Sequence, residues 1–127
     1  LDLDVQREVF EFFGRELFAS HGLRSLSPNH PHYVGTYGGD QLQRDGAYHQ
    51  RTTWGWLLGP YVQAHFRVYR DVEQAQGLLK SLLQHLHGGC IGSLSEIFDG
   101  DAPMTPRGCF AQAWTVAEVL RVWQLLT

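Results

Sequence analysis

Gly92-Ser-Leu-Ser-Glu-Ile-Phe-Asp-Gly-Asp-Ala-Pro-Met-Thr-Pro-Arg-Gly-Cys-Phe-Ala-Gln-Ala-Trp114 runs straight into an apolar stretch that ends at Leu126. The segment holds three carboxylates, one arginine, three glycines and two prolines. Glycine and proline fix backbone conformations that other residues resist, so this loop is shaped rather than slack. Downstream, Ala113, Val116, Ala117, Leu120 and Trp123 recur at helical spacing and predict a helix from about Phe110 to Leu126. Acids held on a shaped loop at a helix entrance are a common setting for acid/base chemistry.

Working outward, three further helices are expected. Val5, Val9, Phe13 and Leu17 recur every fourth position, which predicts a helix from Asp4 to Ser20 with Gly22 as its stop. Its stripe is widened by Phe10, Phe12 and Phe18, as for a helix contacted on more than one side. A second helix is expected between Trp54 and Tyr69, starting or kinking near Pro60. A third is expected from Val72 to His87, ended by Gly88-Gly89. The stretch from Leu23 to Thr53 reads as a long loop, with strand-like pieces around Tyr33 and Tyr37; structureless stretches of such length are usually functional. The order is helix, long loop, helix, short turn, helix, long loop, helix. The expected class is therefore all-α, built of helical hairpins whose two long loops share one face.

The chain has 127 residues, enough for one domain with a real core. Charged residues make up only 18%, against about 25% in typical domains, while hydrophobic residues reach 43%. Such a chain packs very well or leaves apolar surface for something else to cover, which makes self-association through apolar helix faces a candidate property. A net charge of −3 argues against a nucleic-acid partner. No apolar run approaches the roughly 20 residues that cross a bilayer, and no secretory signal pattern is seen. Two cysteines, Cys90 and Cys109, are too few for a disulfide scaffold, and a cytoplasmic setting is expected. The chain starts without Met, as a piece of a longer protein does.

Two polar clusters carry chemistry. Glu96 reads either as a general base that takes a proton from water or as a carboxylate that caps a helix or pairs with Arg107. Asp99 and Asp101 flank Gly100 as a turn, with Arg107 the natural partner of one of them. A calcium loop is rejected, because Ala102, Pro103 and Met104 lack the required oxygens. The second cluster is Arg44-Asp45 and Tyr48-His49-Gln50, followed by Trp54 and Trp56. Aromatic faces of this kind stack on pyranose rings while Asp, His and Gln bond hydroxyls; the alternative is an aromatic core with a buried, satisfied histidine. The seven histidines show no Cys-x-x-Cys or His-x-x-x-His spacing, so neither a metal nor another cofactor is expected; His30 and His32 are the pair placed to lie close.

DGAYHQRTTWGWLLGP, from Asp45 to Pro60, and SLSEIFDGDAPMTPRGCFAQAWTVAEVLR, from Ser93 to Arg121, resemble the C-terminal part of the glucosidase domain of glycogen debranching enzymes, the amylo-α-1,6-glucosidase family. The likeness covers nearly the whole chain, including Gly22–Pro28 and Tyr37–Asp40. It implies the C-terminal third of an (α/α)6 toroid, an inverting mechanism, and an α-glucan or branched oligosaccharide carrying an α-1,6-linked glucose as substrate. By resemblance Glu96 matches the general base. Asp45, Tyr48, His49, Gln50, Trp54 and Trp56 match the substrate pocket, and Arg107, Gln112 and Trp114 match residues that shape the acidic loop. Similar sequences carry Gly where Arg51 stands, Val at Thr53, Pro at Gly55 and often His at Met104. The family's general acid is an aspartate in an upstream Gly-Arg-Asp motif that this chain lacks. The implied activity is that of one part of an α-1,6-glucosidase, inactive alone; a non-catalytic carbohydrate-binding module and an oligomeric assembly module are the alternatives.

Overall fold

The computed structural model describes residues 2–127. Six helices are joined by a small antiparallel sheet: α1 (Leu3–Glu16), β1 (Phe18–Ala19), β2 (Gly22–Arg24), α2 (Gln41–Gln50), β3 (Thr53–Trp54), α3 (Leu58–Tyr69), α4 (Val72–Leu78), α5 (Lys80–Gln84), β4 (Ile97–Phe98), β5 (Pro106–Arg107) and α6 (Ala113–Leu126). The all-α expectation is thus corrected. The five strands lie in chain order, β1-β2-β3-β4-β5, every neighbour antiparallel.

The sheet explains why the two long loops are shaped. Leu23 pairs with Trp54, Trp54 with Ile97, and Ile97 with Arg107. The segment before α2, the segment after it and the acidic loop are therefore stitched into one layer. Gly22 is a strand residue and not a helix stop: α1 ends at Glu16, and a Cβ at Gly22 would lie 2.1 Å from the Trp54 carbonyl oxygen. Backbone approach this close admits only glycine.

α2 lies inside what reads as loop in the sequence. It is nucleated by a capping box, in which Gln43 N–H donates to Asp40 Oδ1 at 2.9 Å and Asp40 N–H donates to Gln43 Oε1 at 2.8 Å. No strand forms around Tyr33 or Tyr37. Pro60 sits in the first turn of α3, where its missing N–H costs no helical bond. The single helix expected from Val72 to His87 is broken at Leu79, whose N–H bonds Gln76 one residue short of helical spacing. Asp71 caps α4 by accepting from Gln74 N–H at 2.9 Å.

The core gathers Leu58 and Val62 of α3, Ala75 of α4, Leu79, Leu82 of α5, Phe98 of β4, and Val119 and Val122 of α6. α1 covers it only in part. Phe10 stacks on Tyr61 at 4.6 Å, but no residue of α1 is buried, and Val5, Val9, Phe12 and Phe13 face outward. No helix among the described residues is long and apolar enough to cross a membrane.

Candidate active site

Glu96 stands immediately before β4, and both sides of its main chain are fixed. Its N–H donates to the Cys109 carbonyl at 2.9 Å, and its carbonyl accepts from Gly55 N–H at 3.2 Å. The half-buried side chain is held at both oxygens. The Tyr48 phenol donates to Oε1, and the Cys109 backbone N–H donates to Oε2 at 2.9 Å. Gly108 makes room for this contact: it has φ +64°, and a Cβ there would lie 2.5 Å from Glu96 Oε2. Glu96 therefore neither caps a helix nor pairs with Arg107.

Arg107 serves Asp99. Its Nη2 lies 3.0 Å from Asp99 Oδ2 and its Nε donates to Oδ1 at 3.2 Å, so the buried carboxylate is gripped from one side by a fork. Donating to the Asp99 carboxylate raises the Arg107 guanidinium pKa still further. Tyr37 N–H completes the shell of Asp99 at 2.7 Å. Asp101 accepts from the Tyr33 hydroxyl at 2.9 Å, and Arg24 Nε donates to the Gly100 carbonyl at 2.8 Å. The acidic loop is thus clasped to the segment between β2 and α2. Nothing local in the sequence marks Tyr33, Tyr37 and Arg24 as site residues, since their partners are 62 to 76 residues away.

Tyr48 comes from the last turn of α2. Its carbonyl accepts from Thr52 Oγ1 at 2.9 Å and from Trp54 Nε1 at 3.2 Å, satisfying an otherwise orphaned helix-end acceptor. Its ring meets Trp54 edge-on at 4.7 Å. Desolvation, followed by the hydrogen bond to Glu96 and that carboxylate's charge, pushes the Tyr48 phenol up to about 12. It stays a proton donor throughout the neutral range.

Beside this pair runs an aromatic groove of about 340 Å³, lined by Ser25, His49, Trp54, Trp56, Leu57 and Trp114. Trp56 and Trp114 stack at 4.3 Å with an interplanar angle of 14°, and His49 lies nearly parallel to Trp54 at 6.3 Å. Ser25 Oγ is buried in the groove wall without a hydrogen-bond partner among the described residues, and nothing in the sequence marks it. A second groove of similar volume, between α1 and α3, is apolar and carries no carboxylate; Val9, Phe13, Pro60 and Val68 line it.

The remaining expected site residues are less engaged. Asp45 lies three and four positions before Tyr48 and His49, hence on the same face of α2, but its side chain is exposed and makes no hydrogen bond or ion pair among the described residues. Gln50 is exposed at the end of α2. Gln112 acts through its backbone, donating to the Leu94 carbonyl at 2.8 Å as the residue that precedes α6. Arg51 is half-buried, and its Nε has no hydrogen-bond partner among the described residues.

His30 and His32 do lie together, with ring centroids 5.5 Å apart. Among the described residues no group of three or more His, Cys, Asp or Glu is arranged to hold a metal ion. Cys90 and Cys109 are both free thiols.

A carboxylate beside an aromatic sugar-sized groove is the kind of arrangement glycoside hydrolases use. Comparison with protein-family models matches residues 2–121 to the amylo-alpha-1,6-glucosidase family. The chain belongs to that family, and so represents part of a glycogen-debranching-type glucosidase domain. Comparison with curated proteins gives no match.

Proposed function

We propose that this chain supplies the base half and one sugar-facing wall of an inverting α-1,6-glucosidase site. The carrying observation is the Glu96 carboxylate, held at both oxygens beside the Trp54–Trp56–Trp114 groove. An inverting glycosidase needs two carboxyl groups about 6.5–9.5 Å apart with water between the base and the anomeric carbon. In this reading Glu96 takes the proton of that water as its oxygen attacks C1 of the terminal glucose. The C1–O6 bond breaks, and an acid protonates the departing oxygen. His49, Trp54, Trp56 and Trp114 face the sugar, with Asp45 and Gln50 on α2 as further hydroxyl partners.

The acid is not provided by the acids near the base. Asp99 is spent on Arg107 and Tyr37, and Asp101 on Tyr33. We assign the acid to residues outside this sequence, as part of a longer glucosidase domain in the cytoplasm. The chain alone then releases no glucose from an α-1,6-branched dextrin. Glucose release by the chain alone, abolished by Glu96→Gln, overturns this.

The stacked Trp56–Trp114 pair favours a second reading, carbohydrate binding without catalysis. Calorimetry with maltooligosaccharides tests it, and no binding at millimolar sugar sinks it. The outward apolar faces of α1 and α6 fit pairing with further helices of such a domain or with a second copy.

A further inference from the structure

We propose that Tyr48 is a positioning residue for the general base rather than a sugar contact. With the Gly108–Cys109 peptide it forms a two-point clamp that fixes the rotation of the Glu96 carboxylate. The inference rests on the reading of Glu96 as base.

The geometry separates the two roles. Tyr48 shares its helix face with Asp45 and adjoins His49, and it occupies the pocket motif by resemblance, which would make it a substrate residue. Yet its hydroxyl is committed to Glu96 Oε1, its ring edge to Trp54 and its carbonyl to Thr52 and Trp54. The aromatic groove is lined by His49, Trp54, Trp56 and Trp114, and Tyr48 is not part of that lining. A carboxylate on a two-carbon stem rotates about its terminal bond over a broad range. Two donors on different oxygens remove that freedom. Each oxygen retains further acceptor capacity, so the clamp leaves a site for the proton of water. Tyr48 also ties α2 to the residue that precedes β4, linking two positions that lie 48 residues apart.

Placement matters more than affinity here. A displacement of about 1 Å at a reacting group costs about 100-fold in rate. Tyr48→Phe keeps the ring and its packing and removes only the donor.

The probe is α-D-glucosyl fluoride, because fluoride leaves without protonation and so needs a base but no acid. Water attacks C1 with its proton passing to Glu96, the C1–F bond breaks, and β-glucose and fluoride result. With the 127-residue chain, Tyr48→Phe is expected to lower kcat about 100-fold with KM unchanged. Azide needs no deprotonation. It attacks C1 directly, giving β-glucosyl azide and fluoride, and is expected to restore turnover in both Tyr48→Phe and Glu96→Ala. A Tyr48→Phe variant with raised KM and retained kcat overturns the clamp while leaving Glu96 as base.

A chain with no Glu96-dependent fluoride release contradicts the base assignment itself, and the clamp is then decided by NMR on tyrosines labelled at Cζ. Glu96→Gln is expected to shift the Tyr48 resonance and bring its titration down from about 12. An unmoved resonance and midpoint overturn the clamp.

Discussion

Arg107 closes a forked ion pair on Asp99 across the β4–β5 hairpin, 3.0 Å at the shorter arm, with the Asp99 side chain 5% exposed. The pair fixes the far end of the loop whose near end carries Glu96. Breaking it leaves a buried carboxylate with the Tyr37 N–H as its one remaining partner among the described residues.

Arg107→Ala is therefore expected to destabilise the fold by about 2–3 kcal/mol, the cost of stranding a buried charge reduced because Arg107 is itself partly exposed. Urea unfolding of Arg107→Ala, Asp99→Asn and the double variant checks this. The two effects are expected to be strongly non-additive, since they remove the same interaction.

Gly108→Ala is expected to disturb the base directly. The new methyl would sit 2.5 Å from Glu96 Oε2 and 2.9 Å from Ile97 Cγ1, at a backbone φ of +64°. Left-handed strain alone costs about 1 kcal/mol, and the crowding adds to it. Thermal unfolding is expected to show the loss, and the Cys109 amide resonance is expected to move as its bond to Glu96 lengthens.

Stability is expected to fall on mild acidification. Burial depresses His85, and burial followed by the charge of His85 depresses His21; His65 is lowered by burial as well. Each folded-state value lies below the 6.5 of the unfolded chain, so the unfolded state binds more protons in the window below 6.5. Stability is complete above 6.5 and declines as pH drops through that value toward the folded-state values. Denaturation midpoints across this range measure the slope. His85→Gln is expected to flatten it, at the cost of altering the bond between His85 Nε2 and Ser95 Oγ.

Trp114→Ala is expected to weaken maltooligosaccharide binding by about tenfold, in line with roughly 1–1.5 kcal/mol for a lost aromatic contact. It is expected to lower stability by only about 1 kcal/mol, because Trp114 is 53% exposed and its main loss is the stack on Trp56. Calorimetry and thermal unfolding on the same samples separate the two effects.

Much of the site was readable because its residues cluster in sequence. Glu96 and Arg107 lie in one shaped loop; Tyr48, His49, Trp54 and Trp56 lie within nine residues. What escaped reading was geometry across distance. Tyr48 and Glu96 carry no local signal of their bond, and Ser25 joins the groove only because β2 pairs with β3. The strands have two or three residues each, too short for alternation to appear. α2 was hidden for a different reason: it buries only Ala47 and has no apolar stripe. Its one legible mark was the Asp40–Gln43 capping box. The periodicity of α3 was legible because Leu58, Val62 and His65 face the core. In α6 it pointed to the wrong face: Thr115, Val119, Val122 and Leu126 are buried, and Ala113, Ala117, Leu120 and Trp123 of the expected stripe are exposed.

The most direct test of the account compares two substrates on the same chain. We expect release of fluoride from α-D-glucosyl fluoride above the spontaneous rate, lost in Glu96→Gln, together with no glucose from an α-1,6-branched dextrin. Equal fluoride release by the chain and by Glu96→Gln contradicts Glu96 as the base. Glucose from the dextrin contradicts the assignment of the acid to residues outside this sequence.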